Sequence, residues 1–305
     1  MSVDLPLALG GLIVGCVVGM TGVGGGALMT PMLVLIFGIQ PLAAVSSDVV
    51  AALIMKPIGG GVHLRRGTVK VGLAKWLMVG SLPSAFLGVV LLRKIGAGED
   101  LQRHIKVWLA WALLAASAGI VARPFLSRRR PPGPPATNVP VRIVPTILIG
   151  VFGGLIVGMT SVGSGSLMIV LLLLLYPQFR LSELVGTDLV QAIPLVASAA
   201  VGHVLLGDFK LALTGSILVG AIPGVYLGAR FSSRAPDGIL RPLLVIALSS
   251  SALKLLGVGN TVLLFVIGAV AALLLVLAIP DLRRTFRRQA DGALKTEPAQ
   301  PTSAT

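Results

Sequence analysis

The chain has 305 residues, of which 55% are apolar and only 12% charged, with a formal net charge of +14. A soluble domain carries about 25% charged residues, so a soluble enzyme, a secreted disulfide scaffold and a disordered chain are all excluded. The basic residues stand in short gaps between apolar stretches, where the positive-inside rule accounts for them without nucleic acid.

The N-terminus, MSVDLPLALGG, has no basic region ahead of its apolar run, so no removable signal peptide is expected. Apolar stretches follow at 5–37, 42–63, 74–92, 105–122, 143–176, 182–203, 211–230, 239–256 and 260–279. Most approach the roughly 20 residues that cross a ~30 Å hydrocarbon core. Segments 5–37 and 143–176 are too long for one crossing, and each is interrupted by glycines near its middle. The single Cys16 lies inside the first of them and can form no intrachain disulfide. Between the halves, 123–142 reads as a Pro/Arg-rich linker. Residues 281–305 read as a basic, then polar, disordered tail.

An internal duplication organises the rest. VGMTGVGGGALM at 18–29 and VGMTSVGSGSLM at 157–168 agree at nine of twelve positions. One residue further out of step, Asp48 meets Asp188, His63 meets His203, Lys70 meets Lys210, and Gly80, Pro83 and Gly88 meet Gly220, Pro223 and Gly228. Such halves are the usual mark of a secondary transporter. The divisions expected are a first transmembrane repeat at 1–122, a cytoplasmic linker at 123–142, a second repeat at 143–256, an extra helix at 257–280 and a cytoplasmic tail at 281–305.

Lysine and arginine decide the handedness of the repeat. If the long segments cross once each, basic residues fall evenly on the two sides. If each dips in and returns, the linker, the 64–75 loop, Arg180, the 230–241 loop and the tail share one side. The positive-inside rule favours the second arrangement, although the opposite 93–106 loop then keeps four basic residues. The expected fold is an all-α polytopic membrane protein. It has two inverted repeats, each a broken or re-entrant hairpin plus about three transmembrane helices, with one extra C-terminal helix and a cytoplasmic C-terminus.

A hairpin turning at Gly22–Gly26 leaves a second limb about half a bilayer long. Its first N–H groups lack helical partners and sit at the positive end of the helix dipole. Two such ends facing each other would make an anion site. The substrate-binding candidates are therefore Thr21, Gly22, Gly24, Gly25 and Gly26 with Thr160, Ser161, Gly163, Ser164, Gly165 and Ser166. Close helix packing is the alternative reading of the glycines. Asp48, Lys56 and His63 share one face of the next span, and intramembrane ionisable residues are functional by default. Lys56 is a counter-ion for a bound anion, or an internal partner of Asp48 or another carboxylate. Asp48, Asp188, His63 and His203 are proton-coupling candidates; helix N-capping by the aspartates and interfacial structural histidines are the alternatives. No metal set, cofactor motif or catalytic constellation is present, and no enzyme is expected.

The glycine-rich GVGGG, Pro31, the SD and GTD that open the next spans, the H…G-x-V-K run and G-S-x-P…G, all repeated, resemble the sulfite exporter TauE/SafE family, also called the toluene sulfonate uptake permeases. The likeness covers roughly 8–256. It implies an inner-membrane permease for sulfite, sulfonates or related organic anions, with no ATP site. The second half departs from the pattern at Ser161, Ser164, Val170 and Val196, which suggests that substrate contacts come mainly from the first half. An anion channel, or a membrane assembly protein without transport activity, is the alternative. The expected partners are a small anion and the bilayer, with a second copy of the chain left open.

Overall fold

Both over-long apolar segments break where their glycines cluster. The computed structural model describes residues 3–21, 25–65, 67–95, 98–128, 139–231, 237–261, 263–265 and 268. The first segment forms α1 (Leu5–Thr21) and α2 (Gly26–Leu35); the second forms α6 (Ile143–Thr160) and α7 (Leu167–Leu175). The remaining helices are α3 (Pro41–Arg65), α4 (Val71–Ile95), α5 (Gly98–Arg128), α8 (Leu181–Leu206), α9 (Leu211–Phe231) and α10 (Asp237–Leu255). No strand occurs among the described residues. Among the described residues six helices, α3, α4, α5, α6, α8 and α9, are long and apolar enough to cross a bilayer. The protein is a multi-pass membrane protein.

The short limbs fold back on the long ones. Tyr176, just past α7, takes the Arg142 backbone N–H at 2.8 Å and pairs with the Thr146 hydroxyl at 2.6 Å, at the opposite end of the segment. Gly153 of α6 packs against Met168 of α7, and Gly10 of α1 against Met32 of α2. At 1.5 Å per residue α2 and α7 are about 15 and 14 Å long, close to the half-bilayer limb expected.

Small residues then let helices of different halves touch. Gly11, Gly15 and Gly19 of α1 lie on the backbone of Ile217, Ala221 and Val225, while Gly220, Gly224 and Gly228 of α9 lie on Ala8, Leu12 and Cys16. The same seam recurs between α4 (Gly80, Gly88) and α6 (Gly150, Gly154, Gly158). Glycine every fourth residue puts all the bare backbone on one stripe, so the helices approach until backbones meet. Contacts advance together in both seams, so each pair runs parallel. These seam glycines lie outside the two glycine clusters singled out as anion-site candidates.

The counterpart helices α3 and α8 run antiparallel: Ser46 meets His203, Gly60 meets Leu189 and Ile193, and His63 meets Gly186. One end of the bundle gathers Leu42 on Gln102, Asp208 on Ser46, and Arg93 on the Leu206 and Gly207 carbonyls. The other gathers a Lys70–Glu183 ion pair at 2.9 Å, the Lys70 N–H on Thr187, and Arg142 on Tyr176.

Helix α5 begins at Gly98 and runs to Arg128, so it enters the stretch read as linker, because a hydropathy window stops where charged turns begin although the helix does not. Residues 129–138, most of the extra 257–280 helix and the 281–305 tail lie outside the described residues.

Candidate functional site

The two breaks meet. Gly26, the first residue of α2, lies against the Ser161 carbonyl and hydroxyl so closely that a Cβ there would strike backbone. Ser161 adopts φ 60°, and Gly163 and Gly165 adopt φ 126° and 93°. Left-handed backbone at alternate positions suits glycine and turns the chain from α6 into α7 within six residues. Gly25 is described and faces Met55 and Asp48; Gly22 and Gly24 lie outside the described residues.

Each half-helix start faces a carboxylate of the following helix. Asp188 accepts the Gly165 N–H at 2.6 Å on Oδ2 and the Gln191 side-chain N–H at 2.9 Å on Oδ1. Ser81 of α4 hydrogen-bonds the Gln191 carbonyl at 3.1 Å. Asp48 accepts the Thr30 hydroxyl of α2 at 2.6 Å on Oδ2. Ser161 also lies beside this carboxylate, yet Oδ1 has no hydrogen bond of adequate geometry. Both aspartates are fully buried. Each is the eighth residue of its helix, so the N-capping reading fails for α3 and α8. The side chains serve the neighbouring half-helices instead.

Lys56 stands between them. Eight residues separate it from Asp48, about 12 Å along α3. Its ammonium donates to the Ser164 hydroxyl in the second break and lies within electrostatic reach of both carboxylates. A second cation, Arg123 of α5, lies within electrostatic range of Asp188. The group therefore holds two carboxylates and the Lys56 ammonium, with Arg123 within electrostatic range, and is walled by the hydroxyls of Thr30, Ser161 and Ser164. Sequence reasoning missed Arg123 because it ends an apolar run and resembled the start of a linker. It missed Gln191 as well, although an amide three residues from a span aspartate was a usable signal.

The other candidates fall elsewhere. Thr21 and Thr160 donate to the carbonyls of Val17 and Ile156, four residues back, each at 2.7 Å. Ser166 is buried in the break, its hydroxyl without a hydrogen bond. His203 Nε2 donates to the Gly158 carbonyl at 2.8 Å and Nδ1 meets the Ser46 hydroxyl at 2.9 Å. A neutral ring satisfies both contacts and braces α8 against α6 and α3. His63 pairs with Thr68 at 2.9 Å and packs on Gly186. Gly186 and Ser46 each precede an aspartate by two residues, about 200° round the helix, which turns both histidines away from the carboxylate group. His203→Ala should therefore lower thermal stability in detergent by about 1–3 kcal/mol for the buried polar atoms left unpaired, while vesicle uptake persists. Uptake that loses its pH dependence in this variant, at parental stability, would overturn that assignment.

The sulfite exporter TauE/SafE family model matches residues 7–255. The chain belongs to this family. Among curated relatives, the "probable membrane transporter protein YjnA" of Bacillus subtilis (strain 168) is 38% identical over 261 residues, covering 84% of this chain and all of that one. The "probable membrane transporter protein YdhB" of the same organism is 25% identical over 247 residues, 80% of this chain and 96% of that one. No solved structure matches the chain. It is a membrane transporter, and the buried ionic group at the joined breaks is its candidate site.

Proposed function

We propose that the protein is a secondary permease that moves a small anion, such as sulfite, a sulfonate or a related organic anion, across the inner membrane. The observation that carries the reading is Lys56, held on Ser164 where the two breaks meet, in the middle of a long span. An ammonium there compensates an incoming negative charge, and rotating hydroxyls adapt to different oxyanions. The half-helix ends serve differently from what the glycine pattern suggested: their positive potential already faces Asp48 and Asp188, so the incoming anion draws chiefly on the two cations.

The repeats are inverted, with alternating access between them. The antiparallel α3 and α8, the folded-back short limbs and the sorting of loops to two ends of the bundle support this. The end with Arg65, Lys70, Arg142 and Arg180 is cytoplasmic, as is the C-terminus. The extra helix at 257–280 and the division at 123–142 follow from the same scheme.

Purified protein in proteoliposomes should take up radiolabelled sulfite or a sulfonate, faster under an imposed pH gradient. Robust uptake of a cation, and none of any oxyanion, would reject the reading. Single cysteines placed at 125–140 and in the tail of a Cys16→Ser background should label from the same side, opposite to one at 99.

A further inference from the structure

The buried ionic group is symmetric in residue type but not in its donors. Asp188 receives two N–H groups, one on each oxygen. The Gly165 donor is backbone and can never accept. Lys56 of α3 lies within electrostatic range of both carboxylates, and Arg123 of α5 within range of Asp188. Such surroundings match an acceptor-only, ionised group. Asp48 shares Lys56 but receives no N–H donor. Its one good hydrogen bond comes from the Thr30 hydroxyl, and its Oδ1 has no hydrogen bond though fully buried. Among the described residues that act on it, Lys56 is the charged group; α2 offers Thr30 and the second break Ser161. Hydroxyls accept as readily as they donate. When Asp48 carries a proton, its O–H finds an acceptor in one of them, and no N–H is left facing a neutral acid.

We propose that Asp48 is the group that binds and releases the coupled proton, while Asp188 stays ionised, held by the Gly165 and Gln191 N–H groups. The step is a simple protonation: an O–H bond forms on the Asp48 carboxylate, the Thr30 hydroxyl turns from donor to acceptor, and the proton leaves by the reverse. Charge bookkeeping agrees. A monovalent anion entering beside Lys56 adds one buried negative charge to the group. Protonating Asp48 removes one negative charge from the same group, so one proton accompanies one monovalent anion. The proposal rests on the anion-permease reading for its purpose, but the protonation itself does not depend on any substrate.

The test is pH-difference infrared spectroscopy on the full chain in lipid, without substrate. Acidification should produce a protonated-carboxyl C=O band above the amide I region. That band should be lost in Asp48→Asn, retained in Asp188→Asn, and shifted in frequency in Thr30→Val, where its hydroxyl partner is gone. Asp48→Glu should keep a band and so guards against a variant that fails to fold. A band lost in Asp188→Asn and kept in Asp48→Asn would reverse the assignment; no band in the parent would overturn it. Failure of sulfite uptake with the band assigned to Asp48 would reject the substrate and leave the proton site standing.

Discussion

Replacing Lys56 by alanine is expected to reduce anion affinity by about 10- to 150-fold. A hydrogen bond to a charged group is worth about 1.5–3 kcal/mol, and the substituted site would retain Arg123 as its cation. The ammonium also acts on both Asp48 and Asp188, so its loss leaves those buried carboxylates less compensated. Titration calorimetry with sulfite and sulfonates on Lys56→Ala, His203→Ala and the parent separates the roles. Weakened binding in Lys56→Ala alone supports a substrate contact. Equal affinity in all three would make Lys56 an internal ion-pair partner and nothing more. Lys56→Arg is not a neutral replacement, because the planar guanidinium fork does not reproduce a compact ammonium on the Ser164 hydroxyl.

The second large effect should come from a single methyl group. Gly26→Ala places a Cβ against the Ser161 backbone, which has no flexible end to give way. The two breaks must separate, at a cost of about 1–3 kcal/mol for overpacking, and uptake should fall at least tenfold as Ser164 and Lys56 lose register. The adjacent Gly25→Ala is the control. Its Cβ would sit 3.7 Å from the Met55 methyl and 4.0 Å from Asp48, which is ordinary contact, and its φ of −51° suits alanine. Uptake and melting temperature should stay near parental values there. Helix propensity alone would make Gly26→Ala the more stable protein by up to about 1 kcal/mol. Gain of stability with full uptake would therefore show that the breaks need no close approach.

Much of the site was legible because the duplication repeats its polar residues. The matched glycines marked the breaks, Lys56 stood out as a cation in mid-span, and Asp48 and Asp188 were singled out as ionisable intramembrane groups. Their partners were not legible. An aspartate after Ser47 or Thr187 reads as a cap when only its own helix is in view. Thr30 is eighteen residues from Asp48, and Gly165 is twenty-three from Asp188. Only the fold-back of α2 and α7 brings those groups together. The paired histidines read equally as proton carriers or as structural residues for the same reason. Their contacts, Gly158 forty-five residues from His203 and Gly186 on the opposite half from His63, turn them into braces.

The sequence by itself determined the membrane environment, the two halves and the places where helices must break. These follow from composition, from hydropathy over about 20 residues and from backbone freedom at glycine, all properties of the chain read locally. The tertiary structure decided which helix touches which. It crossed α1 onto α9 and α4 onto α6, so that each half is sealed by the other, and set α3 antiparallel to α8. The reason is that stripes of small residues are interchangeable as sequence; one glycine stripe fits another wherever backbones can approach, and only the whole set of contacts selects the pairing. That pairing, more than any motif, places Arg123, Gln191 and Thr30 around the carboxylates and gives two matched aspartates unlike surroundings.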